Sequence, residues 1–176
     1  MRIRPFVLVC LIAGGLLPAR PACASGALDD ATILAIFDQA NTADIVTGRL
    51  GAKYGASEDV RALGRMVATD HVAVQQMGRD LARTLALFPT PPDDDTSVAD
   101  SAKAVALLRS KSGAAFDEAY LRYEVAFHQS VIDAVKGTLL PAAHDAQLRK
   151  LIQTVLPGLE HHLAATKAVA RKLGVQ

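Results

Sequence analysis

Four long stretches of this chain place apolar residues at steps of three and four, and that spacing commits them to amphipathic helices. From Asp29 to Gly55 the residues Ile33, Ile36, Phe37, Ala40, Ala43, Leu50 and Tyr54 recur in this way. Asp29 or Asp30 can cap the start and Gly55 the end. The second stretch opens on Ser57, a good N-cap, with Glu58 and Asp59 where the helix dipole favours acids. Its stripe, Val60, Leu63, Val67, Val74, Met77, Leu81 and Leu85, predicts a helix to about Leu87, stopping before Pro89. A third helix carries Phe116, Tyr120, Tyr123, Phe127, Val131 and Val135. A fourth carries Leu148, Ile152, Val155, Leu159, Leu163, Val169 and Leu173. Pro157 falls inside the fourth and is expected to kink it, because its ring displaces the carbonyl of Gln153.

Between the second and third stripes lies FPTPPDDDTS, rich in Pro and Asp and unable to hold a helix. A short helical piece around Ala99 to Ser110 and a break near Gly113 follow. No segment alternates with period two, so the fold class is all-α. Four amphipathic helices with one long connection between the second and third, containing a short extra helix, match a ferritin-like four-helix bundle better than a simple up-down one.

The first 24 residues form an address. Arg2 and Arg4 precede an apolar run from Phe6 to Leu17, and a Pro-broken tail ends in Ala22-Cys23-Ala24, the three-part pattern of a secretory signal. Twelve apolar residues fall short of the roughly 20 needed to span a bilayer, so cleavage after Ala24 is expected rather than anchorage. Cleavage leaves residues 25–176 as one domain and removes both cysteines, Cys10 and Cys23, so no disulfide supports the fold. Arg2, Arg4 and Arg20 go with the signal and no acid does, so 19 basic residues against 18 acidic become 16 against 18. No membrane span remains, which points to the periplasm or cell envelope. A balanced charge and eight aromatics without Trp give nothing for a phosphate backbone or for base stacking, so nucleic acid is excluded as a partner.

The informative residues are polar ones on the apolar faces, because burying a charge or an imidazole without a partner is costly. There is one on each long helix: Asp44, His71, His128 and His162. If the crossover makes the second and third helices start at the same end, these residues lie 11, 14, 14 and 12 positions from that end. At 1.5 Å per residue their heights then differ by only about 4–5 Å. An up-down order would spread them over roughly 12 Å. Three imidazoles and a carboxylate around one point suit a divalent transition ion such as zinc, copper or nickel. Glu124, Gln75, Thr47 and Thr166 lie within a turn and are candidates to orient the rings. Gly48 and Gly158, one turn from Asp44 and His162, are read as leaving room there. The alternative is a set of neutral core histidines bonded to Asp44, Glu124 or buried water, with no ion.

No catalytic motif is found: there is no Gly-rich phosphate loop, Gly-x-Ser-x-Gly elbow or His-Glu-x-x-His. A di-iron oxidase is disfavoured because Glu-x-x-His does not occur. The competing role is an interaction or structural module acting through an exposed helical face or a homodimer.

Four segments also carry a family resemblance: Asn41-Thr-Ala-Asp44; Met66-Val-Ala-Thr-Asp70-His71; Phe116-Asp-Glu-Ala-Tyr120-Leu with His128 beyond it; and Leu156-Pro157-Gly-Leu159-Glu-His-His162-Leu163. Together they resemble domain-of-unknown-function family 4142, often labelled "predicted outer membrane protein", over essentially all of the chain after residue 24. The resemblance implies an exported, ferritin-like four-helix domain of unestablished role. The histidines at 71, 128 and 162 match the family pattern, which usually has Glu where this chain has Asp44. The label implies association with the outer membrane at most, since nothing here resembles the strands of a barrel.

Overall fold

The computed structural model of the protein describes residues 28–175. The signal-like segment, Cys10 and Cys23 lie outside them. Among the described residues every regular element is helical, and no helix is long and apolar enough to cross a membrane. The elements are α1 (Asp30–Tyr54), α2 (Glu58–Thr84), α3 (Ser97–Arg109), α4 (Gly113–Ala134), a π turn (Val135–Leu139), α5 (Leu140–Ala142) and α6 (Ala146–Lys172). The third and fourth stripes of the sequence are α4 and α6.

Local chemistry sets these limits. Asp29 Oδ1 accepts the N–H of Thr32 at 2.7 Å, Ser57 Oγ that of Val60 at 3.2 Å, and Asp145 Oδ1 those of Gln147 and Leu148 at 2.7 and 3.1 Å. The second helix stops three residues before Leu87. Ala86 turns to φ +52° and the Leu87 N–H bonds back to Ala82 O at 2.9 Å, a left-handed closure that ends the helix ahead of Pro89. Five residues of π helix, which the apolar spacing did not suggest, follow α4. α6 runs without interruption through Pro157, whose ring lies on the exposed side.

Three contacts fix the direction of the long helices. Asp117, in α4, accepts the N–H groups of Ala56 and Ser57 at 2.7 and 2.8 Å, so α2 and α4 start at one end. Asp30 accepts the N–H groups of His144 and Asp145 at 2.8 and 2.9 Å, so α1 and α6 start at the other. Lys172 closes the loop by reaching Asp59, the second residue of α2, at 2.7 Å. The segment between α2 and α4 therefore returns along the length of the molecule. It is held to α1 by a Gln39 to Asp95 bond of 2.8 Å, and α3 buries Ala104 and Leu108.

α1 and α2 approach closely through their glycines. A Cβ on Gly64 would fall 2.6 Å from Gly48 O, and one on Gly48 would fall 2.9 Å from Ala68 N. Gly48 thus serves the α1–α2 contact and does not open space beside Asp44, as its position one turn away had suggested.

Two apolar blocks form the core. Ile33, Leu34, Ile132, Leu139, Leu148 and Ile152 belong to one. Leu50, Val60, Val67, Phe116, Tyr120 and Ala170 belong to the other. On every long helix the inward polar residue singled out from the sequence lies between them: Asp44 between Leu34 and Leu50, His71 between Val67 and Ala82, His128 between Leu121 and Ile132, and His162 between Leu159 and Ala170. Each block sequesters apolar side chains worth about 1.5–3 kcal/mol apiece, and that surplus carries the polar layer between them.

Candidate metal centre

Asp44, His71, His128 and His162 are all buried and meet at one level. The three rings each offer a nitrogen within 4.8 Å of the others. His162 Nδ1 is 3.2 Å from His71 Nε2. Asp44 Oδ2 lies 3.2 Å from His71 Nε2 and 3.8 Å from His128 Nε2. The helix directions required by the crossover produce this convergence.

The outward nitrogens define which inward ones are free. Asn41 Nδ2 donates to Phe37 O at 2.7 Å, which orients its amide and turns Oδ1 toward His71. His71 Nδ1 donates to that oxygen at 2.8 Å. His128 Nδ1 donates to the backbone carbonyl of Glu124 at 3.0 Å, with Glu124 Oε2 at 3.4 Å beside it. His162 Nε2 donates to Asp70 Oδ2 at 3.0 Å. A neutral imidazole has one N–H, so each ring uses its proton outward and presents a lone pair inward. Three lone pairs and a carboxylate oxygen then face one another. His128 Nε2 and Asp44 Oδ1 have no hydrogen-bond partner in the protein. A buried polar atom left so costs about 1–3 kcal/mol, and a cation at the focus would satisfy such acceptors together.

Electrostatics agree with neutral rings. Burial, with the neighbouring His162 and His128 rings, lowers His71 to about 3, and burial lowers His128 to about 4 against the bond to the Glu124 carbonyl. Burial, with Glu124 close by, pushes Asp44 well above the usual carboxylate range. Burial also lifts Glu124 to about 8, although its bond from Thr47 acts the other way. Without a cation these acids are held toward their protonated form.

A second group, Asp44, Glu124 and His128, also brings one ligand atom each within 4.8 Å. Glu124 Oε1 accepts from Thr47 Oγ1 at 2.9 Å, while Oε2 has no hydrogen-bond partner. The Tyr120 hydroxyl, on the apolar stripe of α4, is buried and likewise unpartnered. The other residues expected to orient rings are placed differently. Gln75 Nε2 donates to Asp38 O and Thr42 Oγ1 at 3.1 and 2.7 Å, and Thr166 Oγ1 donates to His162 O at 2.8 Å, so neither holds a ring.

Sequence reasoning missed Asn41 and Asp70. Asn41 sits three residues before Asp44, a spacing that puts both on one helix face and was open to reading. Asp70 is adjacent to His71 and so points elsewhere on α2; the partner that makes sense of it is His162, on another helix. Asp70 is half-exposed and borders a cleft of about 320 Å³ between α2 and α6, lined also by Met77, Thr154, Gly158 and His162. A Cβ on Gly158 would meet nothing within 4 Å, so this glycine does leave space beside His162.

No curated protein and no solved structure matches the chain. The quoted segments nevertheless lie within a family match that covers residues 17–169, and the chain belongs to the family described as domain of unknown function (DUF4142).

Proposed function

We propose that this protein is an exported, ferritin-like four-helix bundle that holds one divalent transition-metal ion through His71, His128, His162 and Asp44. The observation that carries the reading is the matched set of outward bonds, to Asn41 Oδ1, Glu124 O and Asp70 Oδ2, which leaves three ring lone pairs turned to one buried point. Three nitrogens and one anionic oxygen are the donor set of zinc, copper or nickel. The more carboxylate-rich trio of Asp44, Glu124 and His128 is the poorer host, because it offers one ring nitrogen in place of three and Glu124 Oε1 is engaged by Thr47. Export rests on the pattern of residues 1–24.

Elemental analysis of the purified protein, with melting curves in zinc, copper and nickel, tests the reading. One equivalent of metal and a rise in melting temperature are expected, both abolished by His71→Ala or His162→Ala. Metal well below one equivalent, or a shift that survives both substitutions, overturns it. Export is checked separately by the N-terminus of the protein recovered from the envelope fraction, expected at Ser25.

A further inference from the structure

A narrow chamber of about 80 Å³ lies among the long helices and ends on the candidate metal centre. Ile33 and Leu139 line one end, Asp44 and His71 the other. Ile33 and Asp44, both on its wall, are about three turns apart on α1, so the chamber runs along the helix axis between them. Its walls are hydrocarbon, contributed by Phe37, Ala40, Val74, Val131 and Val155 among others, and the π turn supplies Val135 and Leu139. A π turn repositions the side chains that follow it, and such turns are frequent at functional sites.

Among the described residues, the polar ones bordering the chamber are Asn41, Asp44 and His71, all at the site end. Asn41 and His71 bond to each other, and Asn41 also to Phe37 O. A buried water needs two to four polar partners, and along most of this passage there are none; chambers of that kind stay dry and accept apolar guests. The volume equals that of two to three water-sized molecules at about 30 Å³ each.

We propose that the chamber is a binding site for a small apolar molecule of the size of a diatomic gas, held against Asp44 and His71. That such a guest meets a metal ion there rests on the function proposed above; the chamber itself does not.

Crystals of the metal-free protein under xenon, and methyl NMR spectra at raised dioxygen pressure, test it. Xenon is expected between Ala40 and Val155, and dioxygen should broaden the methyl signals of Val74, Val131 and Val155 more than those of the opposite apolar block, such as Leu63 and Leu121. Ala40→Leu and Val155→Phe fill the passage at two points and should each lower xenon occupancy at least tenfold; circular dichroism identifies a variant that fails to fold, and the other then serves. Ordered water along the passage, no xenon, or equal xenon in a folded filled variant overturns the proposal. Because no metal is present, xenon without any metal uptake by the protein would sink the metal reading and leave the chamber standing, and metal uptake without xenon would do the reverse.

Discussion

His162 Nδ1 and His71 Nε2 lie 3.2 Å apart, and with the outer nitrogens of both rings donating elsewhere, each turns a lone pair toward the other. Two lone pairs do not hold this distance unaided. Either Asp44, which burial holds toward its protonated form, donates to His71 Nε2 at 3.2 Å beside them, or a metal ion takes both lone pairs. The same geometry thus admits an ion-free and an ion-bound state that differ by exchange of a proton for a cation, and metal binding is accordingly expected to release protons.

Asp70 decides which nitrogen of His162 faces inward. Asp70→Asn offers a weaker acceptor and Asp70→Ala none, so the ring loses the bond that fixes its tautomer. We expect metal affinity to fall by about 10–100-fold for Asp70→Ala, as for other partners of metal-bound histidines, with helix content unchanged. Asn41→Leu should act similarly on His71. Titration with a competing chelator measures both, and affinity within threefold of the parent protein for both variants would show that the outward bonds do not set the donor nitrogens.

The metal-free protein should be most stable near pH 5–6. His71 and His128 have folded values of about 3 and 4, below the ordinary 6.5, so the unfolded chain binds more protons on the acid side; the stability they contribute is full above pH 6.5 and is lost as pH falls toward 3. Glu124 behaves oppositely. Raised from 4.5 to about 8, it contributes stability that is full below 4.5 and is lost as pH rises through 8, and Asp44 is raised in the same sense. Urea unfolding of metal-free protein at pH 5.5 and 8.5 should therefore show a lower midpoint at 8.5, and Glu124→Gln should remove a large part of that difference. A parent midpoint independent of pH over this range would contradict the assigned burial of the carboxyl pair.

The helices and the four inward residues were legible in the sequence because both rest on spacing along one chain. A stripe at steps of three and four shows which face is buried, and a charge or imidazole on that face stands out against its neighbours. Counting positions from assumed helix ends then tested two chain orders, and the contacts of Asp117 and Asp30 give the order in which the four share a level. What stayed hidden depends on pairs between helices. Asp70 becomes meaningful only beside His162, Gly48 only against Gly64, and Gln75 only once Thr42 and Asp38 face it. The π turn after α4 was hidden for another reason: only the three residues of α5 follow it, too few for a shift in the apolar stripe to show.

Asp117 should contribute to stability without touching the site. Its buried carboxylate takes the N–H groups of Ala56 and Ser57 at the α1–α2 turn, where no helical carbonyl is available to them. Bonds to a charged acceptor contribute about 1.5–3 kcal/mol, so Asp117→Ala is expected to lower unfolding free energy by about 2–3 kcal/mol and Asp117→Asn by less. Denaturant unfolding measures the loss, and metal stoichiometry should remain that of the parent. A loss below about 0.5 kcal/mol would mean that water replaces the carboxylate at this turn.

The cleft beside His162 gives the last expectation, which concerns rate rather than affinity. Asp70 stands half-exposed at its edge, and His162 and His71 line it while His128 and Asp44 do not, so an ion arriving by this route meets Asp70 and those two rings first. Gly158 lines that cleft with open space where a side chain would project. Gly158→Leu fills the space and, by replacing a mid-helix glycine, should also raise stability by about 0.5–1 kcal/mol. Stopped-flow loading with zinc should slow at least fivefold while the equilibrium affinity stays within twofold, because no ligand atom has moved. An unchanged loading rate in a variant shown to be folded would place the route elsewhere, and a matched fall in affinity would show that Gly158 shapes the site rather than its approach.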